Sequence, residues 1–403
     1  MASTLSWLDY SPEQDENLRK FIAAMIEGGL DYLGFQTIND RFSERFFPGI
    51  TTVLTRAKYY LLLPSIYRQV EEKRLHGGNA SQGGYDLEDL VRNMLYRDNP
   101  NADGLIGKEA GKDIVNHPSN IYWGSLRTLG IFVSDYNLSR WQYLKSLQSY
   151  YAILEENSDG RKHEDEQSGN KPNWDPMLKI DYRINQTGKL ALNLSDNEAD
   201  YLQSVFIRHA KSNSGSLIGY MLENPDAVPA EANWILFRKK IKSLVPENKT
   251  LQWEVEIAYR FKLLAAVIDQ VYLYHLTIHK FDDKRREPGV RNALEKKLSN
   301  PELKILTKDP KWLNDIAKGK DFEFLNGSLK EILATDFDPS KIIKHKTLKS
   351  RIVLREKRKG HKARFHNERA LKEWNPRTLE SGELDYRLGK GFSIYKEIID
   401  AKL

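Results

Sequence analysis

The chain has 403 residues, of which 40% are hydrophobic, 29% charged and 11% aromatic, with a formal net charge of +6 at pH 7. That composition is ordinary for a globular protein, and the length allows two or three domains of roughly 150 residues each. It contains no cysteine, which excludes disulfides and any cysteine-ligated zinc or iron–sulfur centre and fits a reducing cytoplasm.

In chain order, the opening MASTLSWLDYSPEQDENL has neither a basic region nor an apolar core, so no secretory signal is expected and the expected location is cytoplasmic. Ser11-Pro12-Glu13-Gln14 reads as a helix start, with Leu18, Phe21, Ile22 and Met25 at helical spacing and Gly28-Gly29 as its stop. Asn39 or Asp40 can cap a short helix bearing Phe42 and Phe46. Thr51 or Thr52 can cap the next, which runs through Arg56, Tyr59 and Tyr60 toward Pro64. The glycine-rich HGGNASQGG at 76–84 predicts a loop. Helical signals return at Leu87–Leu95 and after Ser119, which can cap a helix bearing Tyr122, Trp123 and Leu126 before Gly130.

Residues 157–173 are polar and rich in glycine, serine and mixed charge, the signature of a linker or long loop. Partial alternation over 182–194 predicts a small hairpin. Ser195 and Glu198 make a capping-box pattern ahead of Tyr201, Leu202, Val205 and Phe206. Helices are expected near 231–245 and 254–281, the latter a buried core helix because Glu256, Arg260, Lys262 and Asp269 interrupt it. The expected fold is mainly α, a multi-helix globular protein with a small hairpin at most. The expected divisions are an N-terminal helical domain (1–156), the linker (157–173), a helical core (174–338) and a basic segment (339–403) packing back on the body.

Charge is concentrated near the C-terminus. Residues 341–369 hold twelve Lys or Arg against two Glu, a local +10 that leaves the rest of the chain near −4. A single-sign cluster of this density attracts polyanions, nucleic-acid phosphates above all. Ile342, Ile343, Leu348, Ile352, Val353, Leu354 and Phe365 are interleaved with the charges, so the run is expected to fold rather than hang free. No amphipathic helix with a Trp/Leu face accompanies it, which disfavours a membrane surface.

Motifs for other chemistries are weak. His275 and His279 stand at i and i+4 with Asp282 and Asp283 one turn on, a spacing able to hold a divalent metal, but without HExxH context no metal site is expected. Neither GxxxxGK[ST] nor GxGxxG occurs, and Asn213-Ser214-Gly215-Ser216 only approaches a serine elbow. The first 130 residues are richer. Asp9 precedes the first predicted helix start, where unpaired N–H groups favour an anion. Asp40-Arg41, Arg56, Tyr59, Tyr60 and the Ser119-Asn120-Ile121-Tyr122-Trp123 cluster bring acids, guanidinium groups and aromatic rings to predicted helix starts.

The strings WLDYS (7–11), INDRFSERFFPG (38–49), LTRAKYYLLLPSIYR (54–68), GLIGKEAG (104–111), PSNIYWGSLRTLGI (118–131) and LDYR (384–387) resemble a bacterial family encoded in phage-defence loci, similar to the bacteriophage-replication-inhibition DNA glycosylases. The resemblance implies excision of α-glucosylated 5-hydroxymethylcytosine from double-stranded phage DNA, leaving abasic sites, with no cofactor. A fixed carboxylate suits an oxocarbenium-like transition state, and the extruded base needs stacking surfaces and hydrogen-bond donors. Asp9 ranks first among the acids, then Asp385 and Asp40. Arg41, Arg56, Tyr59, Tyr60, Ser119, Asn120, Tyr122, Trp123 and Arg387 are the candidates for substrate contacts. Lys349, Arg351, Arg355, Lys357, Arg358, Lys359, Lys362 and Arg364 are the candidates for the DNA backbone. Competing readings are a non-catalytic DNA-binding subunit and a nuclease of unfamiliar motif.

Overall fold

The computed structural model describes residues 33–107, 116–134, 137–158, 173–185, 187–281, 286–308, 310–375 and 378–403, with backbone alone for 152–158. Asp9, the helix expected after Ser11, most of the 157–173 linker, and Asp282 and Asp283 lie outside the described residues. The chain forms two compact units, each discontinuous in sequence. One combines residues up to Phe42 with Lys249–Tyr386, the other Ser43–Asn248 with Arg387–Leu403. A linear division at 156, 173 and 338 does not express that organisation. The architecture is mainly α, and the described residues contain no strand beyond an isolated bridge between Phe132 and Trp174.

In the second unit, α1 (Gln36–Phe46, begun in the first unit), α2 (Tyr59–Glu72), α3 (Gly77–Asp98), α4 (Pro118–Thr128) and α5 (Arg140–Ser158) are followed by α6 (Asp196–Ser212), α7 (Leu217–Glu223) and α8 (Trp234–Leu244). The C-terminal helix of the chain, Leu388–Asp400, completes the unit. Three sequence expectations are corrected here. First, α2 begins at Tyr59 rather than at Thr51 or Thr52 and continues through Pro64. The ring removes the N–H that would bond the Tyr60 carbonyl, a loss of about 3 kcal/mol, but nearly every residue of α2 is buried and that packing outweighs it.

Second, the glycine-rich 76–84 segment is the first part of α3. Gly84 is buried against α2, where a Cβ would stand 3.0 Å from the Tyr67 ring. The glycine is a contact surface there, and tertiary packing overrides its poor helix propensity.

Third, the described residues of 182–194 form no hairpin. Side chains of α2 and α3 take over the role of a partner strand. Arg68 donates to the carbonyls of Leu178 (3.0 Å) and Ile180 (3.2 Å), and Gln69 to that of Tyr182 (2.8 Å). The Tyr182 N–H donates to Ser65 Oγ, the Leu190 N–H to Asp98 and the Leu192 N–H to Asn99. The capping box at Ser195 is present, with its N–H donating to Glu198 Oε2 at 2.7 Å.

In the first unit, α9 (Lys249–Phe281) is apolar enough to cross a membrane by length and composition, yet 83% of its apolar window is buried in the fold. A helix apolar on all sides is a core helix. Around it lie α10 (Glu287–Leu298), a 3₁₀ turn at Pro301–Thr307, α11 (Leu313–Ile316), α12 (Gly319–Ala334), α13 (Pro339–Lys344), α14 (Lys346–Lys357) and α15 (Glu368–Glu373). Buried polar groups of α9 hold the segment after α15. Gln270 donates to Leu379 O (2.9 Å) and accepts the Ser381 N–H (2.8 Å), and Tyr386 Oη donates to Ala258 O (2.8 Å). The last helix, α16, is Leu388–Asp400.

Two measurements follow from this packing. A Cβ on Gly391 would stand 2.1 Å from Phe47 Cδ1, so Gly391→Ala is expected to cost about 1–3 kcal/mol in urea unfolding through overpacking. On α9, burial foremost and Lys349 second push the His275 pKa down to about 4. The folded chain holds that proton less tightly than the unfolded chain, so stability is lost as pH falls from the ordinary histidine range toward 4. His275→Leu should flatten the fall in thermal midpoint over that window.

Candidate functional site

A polar cleft of about 360 Å³ opens in the second unit where the loop before α2 meets α16. Tyr122, wholly buried on α4, sets the loop. Its hydroxyl accepts the N–H groups of Thr55 (2.8 Å) and Arg56 (3.0 Å) and donates to the Arg56 carbonyl (2.9 Å). Burial pushes that hydroxyl up to about 12, so it stays protonated and able to donate. The Arg56 side chain then reaches three partners: Nε lies 3.2 Å from Glu397 Oε2, Nη2 donates to Asn193 Oδ1 (2.9 Å) and Nη1 to Asp103 O (3.3 Å). Gly104, at φ +79°, lets its loop close on Arg56, because a Cβ would stand 3.0 Å from Arg56 Cδ.

On the opposite wall, α16 presents Ser393, Lys396, Glu397 and Asp400 at i, i+3, i+4 and i+7, one face of a helix. Glu397 Oε2 also accepts the Ala57 N–H at 2.9 Å. Burial raises the Glu397 carboxyl above its ordinary range, while Arg56 and the Ala57 amide pull it back. A desolvated acid with a specific cationic partner in a cleft marks a functional-site candidate. Sequence reasoning missed Glu397. Its only local signal was its position on the polar face of the last helix.

Behind the cleft, Lys58 and Glu198 form a buried ion pair, with Nζ 2.8 Å from both carboxylate oxygens. Lys58 also donates to Asn193 O (3.2 Å), the residue whose side chain holds Arg56. Burial lowers the Lys58 pKa, opposed by Glu198. Because Glu198 simultaneously caps α6, this pair ties the start of α2 to the start of α6.

Of the residues expected in a substrate pocket, Arg56, Tyr59 and Tyr122 are brought together. The rings do not present faces to a ligand, which corrects the stacking expectation. Tyr59, Tyr60, Tyr122 and Trp123 are all buried. Tyr122 packs 5.3 Å from both Tyr59 and Tyr60, and Trp123 lies among Tyr67, Phe132, Tyr143 and Trp174. The Tyr59 hydroxyl accepts the Ile106 N–H (3.1 Å). Ser119 belongs to a separate buried network. Glu88 accepts from its N–H and from Tyr67 Oη at 2.9 Å each, while Arg140 donates to Ser119 Oγ and Ser81 Oγ and lies 4.1 Å over Tyr85. Exposed Asn120 meets Tyr85 Oη.

Asp40 and Arg41 belong to the first unit. Asp40 accepts from Gln36 one turn earlier (2.7 Å), and Arg41 donates to the carbonyls of Asp315 and Ile316. Asp385, also in the first unit, is exposed. Arg387, left-handed at φ 61°, donates to Ile50 O (2.7 Å) and pairs with Glu44. Arg41 and Arg387 brace backbone segments, and none of these four residues lines the cleft. His275 is buried, and His279 rests 5.3 Å from the Phe365 ring. Among the described residues no three His, Asp or Glu side chains converge as metal ligands.

The basic segment divides by partner. Glu356, fully buried, accepts from Tyr272 Oη (2.7 Å) and from the N–H groups of Arg364 (2.8 Å) and Phe365 (3.1 Å). Arg355 donates to Leu33 O and pairs with Asp321, which Arg358 also approaches. Arg351 pairs with Glu331, and Arg364 donates to Tyr272 Oη. Arginines 351, 355 and 364 therefore serve the fold, whereas Lys349, Lys357, Arg358 and Lys362 are exposed, and Lys359 is half-buried.

Lys58→Met should cost about 3–5 kcal/mol in urea unfolding, because Glu198 is left buried and uncompensated. The double variant Lys58→Met/Glu198→Gln should lose much less than the sum of the single losses, a coupling that a double-mutant cycle reads directly.

Comparison with curated proteins and with solved structures yields no match. The sequence model of a family of unknown function, DUF6361, matches residues 2–221. The matched span contains Arg56, Lys58, Tyr122, Asn193 and Glu198, and Glu397 lies beyond it. Since it covers more than half of the 403 residues, the chain belongs to the DUF6361 family.

Proposed function

We propose that the protein is a cytoplasmic DNA glycosylase that hydrolyses the N-glycosidic bond of α-glucosylated 5-hydroxymethylcytosine in phage DNA. The observation that carries the chemistry is the Arg56–Glu397 pair in an open polar cleft. The cleft, about 360 Å³, is open to solvent and lined by polar and charged side chains. The substrate comes from the resemblance of the N-terminal strings to the phage-defence glycosylases.

Breaking an N-glycosidic bond builds positive charge on the deoxyribose and negative charge on the departing base. A carboxylate fixed by the Ala57 amide and by Arg56 needs little reorganisation to face the positive charge. A guanidinium has five N–H donors, and the three contacts seen here leave Arg56 able to meet the negative charge as well. Asp103 and Asp400 on the cleft wall offer acceptors to sugar hydroxyls. Asp9 stays a second candidate acid on the strength of the WLDYS string. Lys349, Lys357, Arg358 and Lys362 supply exposed charge for phosphates.

The test is release of base and formation of alkali-labile sites from matched duplexes carrying cytosine, 5-hydroxymethylcytosine or its α-glucosylated form, in EDTA. Release from the glucosylated duplex alone is the expected result. Glu397→Gln should lower single-turnover excision by about a hundredfold or more with DNA binding retained, and Asp9→Asn run in parallel separates the two acids. Because the Glu397 carboxyl is raised, the acid limb of the rate profile should lie above the ordinary carboxylate range, and Arg56→Gln should move it higher still. Binding without release from any duplex would favour a DNA-binding subunit of a defence system, and cleavage only with divalent metal a nuclease. Neutralising Lys357, Arg358 and Lys362 should weaken duplex binding and flatten its salt dependence; an unchanged slope would place the DNA surface elsewhere.

A further inference from the structure

At the end of α9 the first unit carries a continuous cluster of cations and rings. The Arg286 guanidinium lies 3.7 Å from the centroid of the Phe281 ring, with Lys280 Nζ at 5.1 Å. Phe281 packs 6.3 Å from Trp374, over which Arg364 is placed at 5.9 Å. His279 is exposed and lies against half-buried Phe365. Some of these groups are committed to the fold. Lys280 donates to the carbonyls of Lys372 and Trp374, Arg364 to Tyr272, and Trp374 is buried. Phe281, Arg286, His279 and Phe365 keep accessible surface.

We infer that this cluster is a binding site for unpaired DNA, with bases stacking on the Arg286 guanidinium that lies over Phe281 and on His279–Phe365, and phosphates meeting the edge of Arg286. The inference rests on the reading of the chain as DNA-acting. Cations interleaved with ring faces are what an unstacked strand requires, since every base has a face to stack and every linkage a charge to neutralise. A duplex hides its base faces and would use the charges alone. Crowding of like charge points the same way. Burial and then Arg286 push the Lys280 pKa down, and an anion bound there would relieve that repulsion. The nearest described acid on α10, Glu287, is engaged by Tyr274 Oη at 3.1 Å. An enzyme that extrudes a base must accommodate locally unpaired strand, which gives such a site its use.

Fluorescence anisotropy of the full chain with a thymidine oligonucleotide and with an unmodified duplex tests this. Phe281→Leu removes the ring and keeps apolar bulk, and Arg286→Gln removes the charge at a half-exposed position, so neither should unfold the protein; circular dichroism and thermal midpoints check that. Each variant should weaken oligonucleotide binding by about tenfold and duplex binding by less than about twofold. Arg286→Gln should also reduce the salt slope on the oligonucleotide by about 0.7, one phosphate contact on a single strand. Unchanged oligonucleotide affinity in both variants, or equal losses on oligonucleotide and duplex, overturns the site. Excision measured on the same preparations keeps the two readings apart. Intact excision with unaltered oligonucleotide binding removes this inference alone, and selective loss of oligonucleotide binding in a protein that excises nothing sustains it without the glycosylase.

Discussion

The Lys58–Glu198 ion pair is the interaction on which the second unit turns. Two opposite charges removed from water are tolerable only if they meet closely and if their remaining hydrogen-bonding capacity is used. Here it is used, because Glu198 also takes the Ser195 N–H and Lys58 also reaches the Asn193 carbonyl. The consequence is geometric. The start of α2, the start of α6 and residue 193 are held together, and Asn193 in turn holds Arg56 toward Glu397. The cleft is therefore built on a buried ion pair.

The first unit solves a similar problem with one acid. Glu356 lies within the most basic stretch of the chain, fully buried, and uses both oxygens to hold the turn that follows α14. Arg351 and Arg355 are drawn toward acids on α12, and Gly327 makes room there, since a Cβ would stand 2.3 Å from Arg351 Cζ. What looks in sequence like one undivided positive run is in space a structural set of arginines and an exposed set, mostly lysines. That division follows the chemistry of the two side chains: a planar guanidinium suits fixed partners, whereas an ammonium on a flexible stem stays hydrated.

Aromatic residues show how local and global information diverge. Tyr122 and Trp123 stand next to each other at a helix start and look equally suited to ligand contact. One ends up organising the loop that carries Arg56, and the other fills a core shared with Phe132, Tyr143 and Trp174. Glu71 lies under that core, raised by burial and bonded by Tyr143, Asn173 and Trp174. Here too a buried carboxylate organises rings.

By itself the sequence determined the class of the fold, the capping box at Ser195, the buried character of α9 and the folding of the basic run, because each depends on residues close together in the chain. Periodicity, caps and charge density are local quantities, and local reasoning reads them. Only the tertiary structure decided that 76–84 is helical, that Pro64 lies within a helix and that 182–194 is held by side chains instead of a partner strand. In each case burial or hydrogen bonds from distant residues outweigh local preference. Tertiary structure alone also paired Arg56 with Glu397. Those two residues are separated by most of the chain, and no spacing rule connects groups that meet only when α16 returns to the loop before α2.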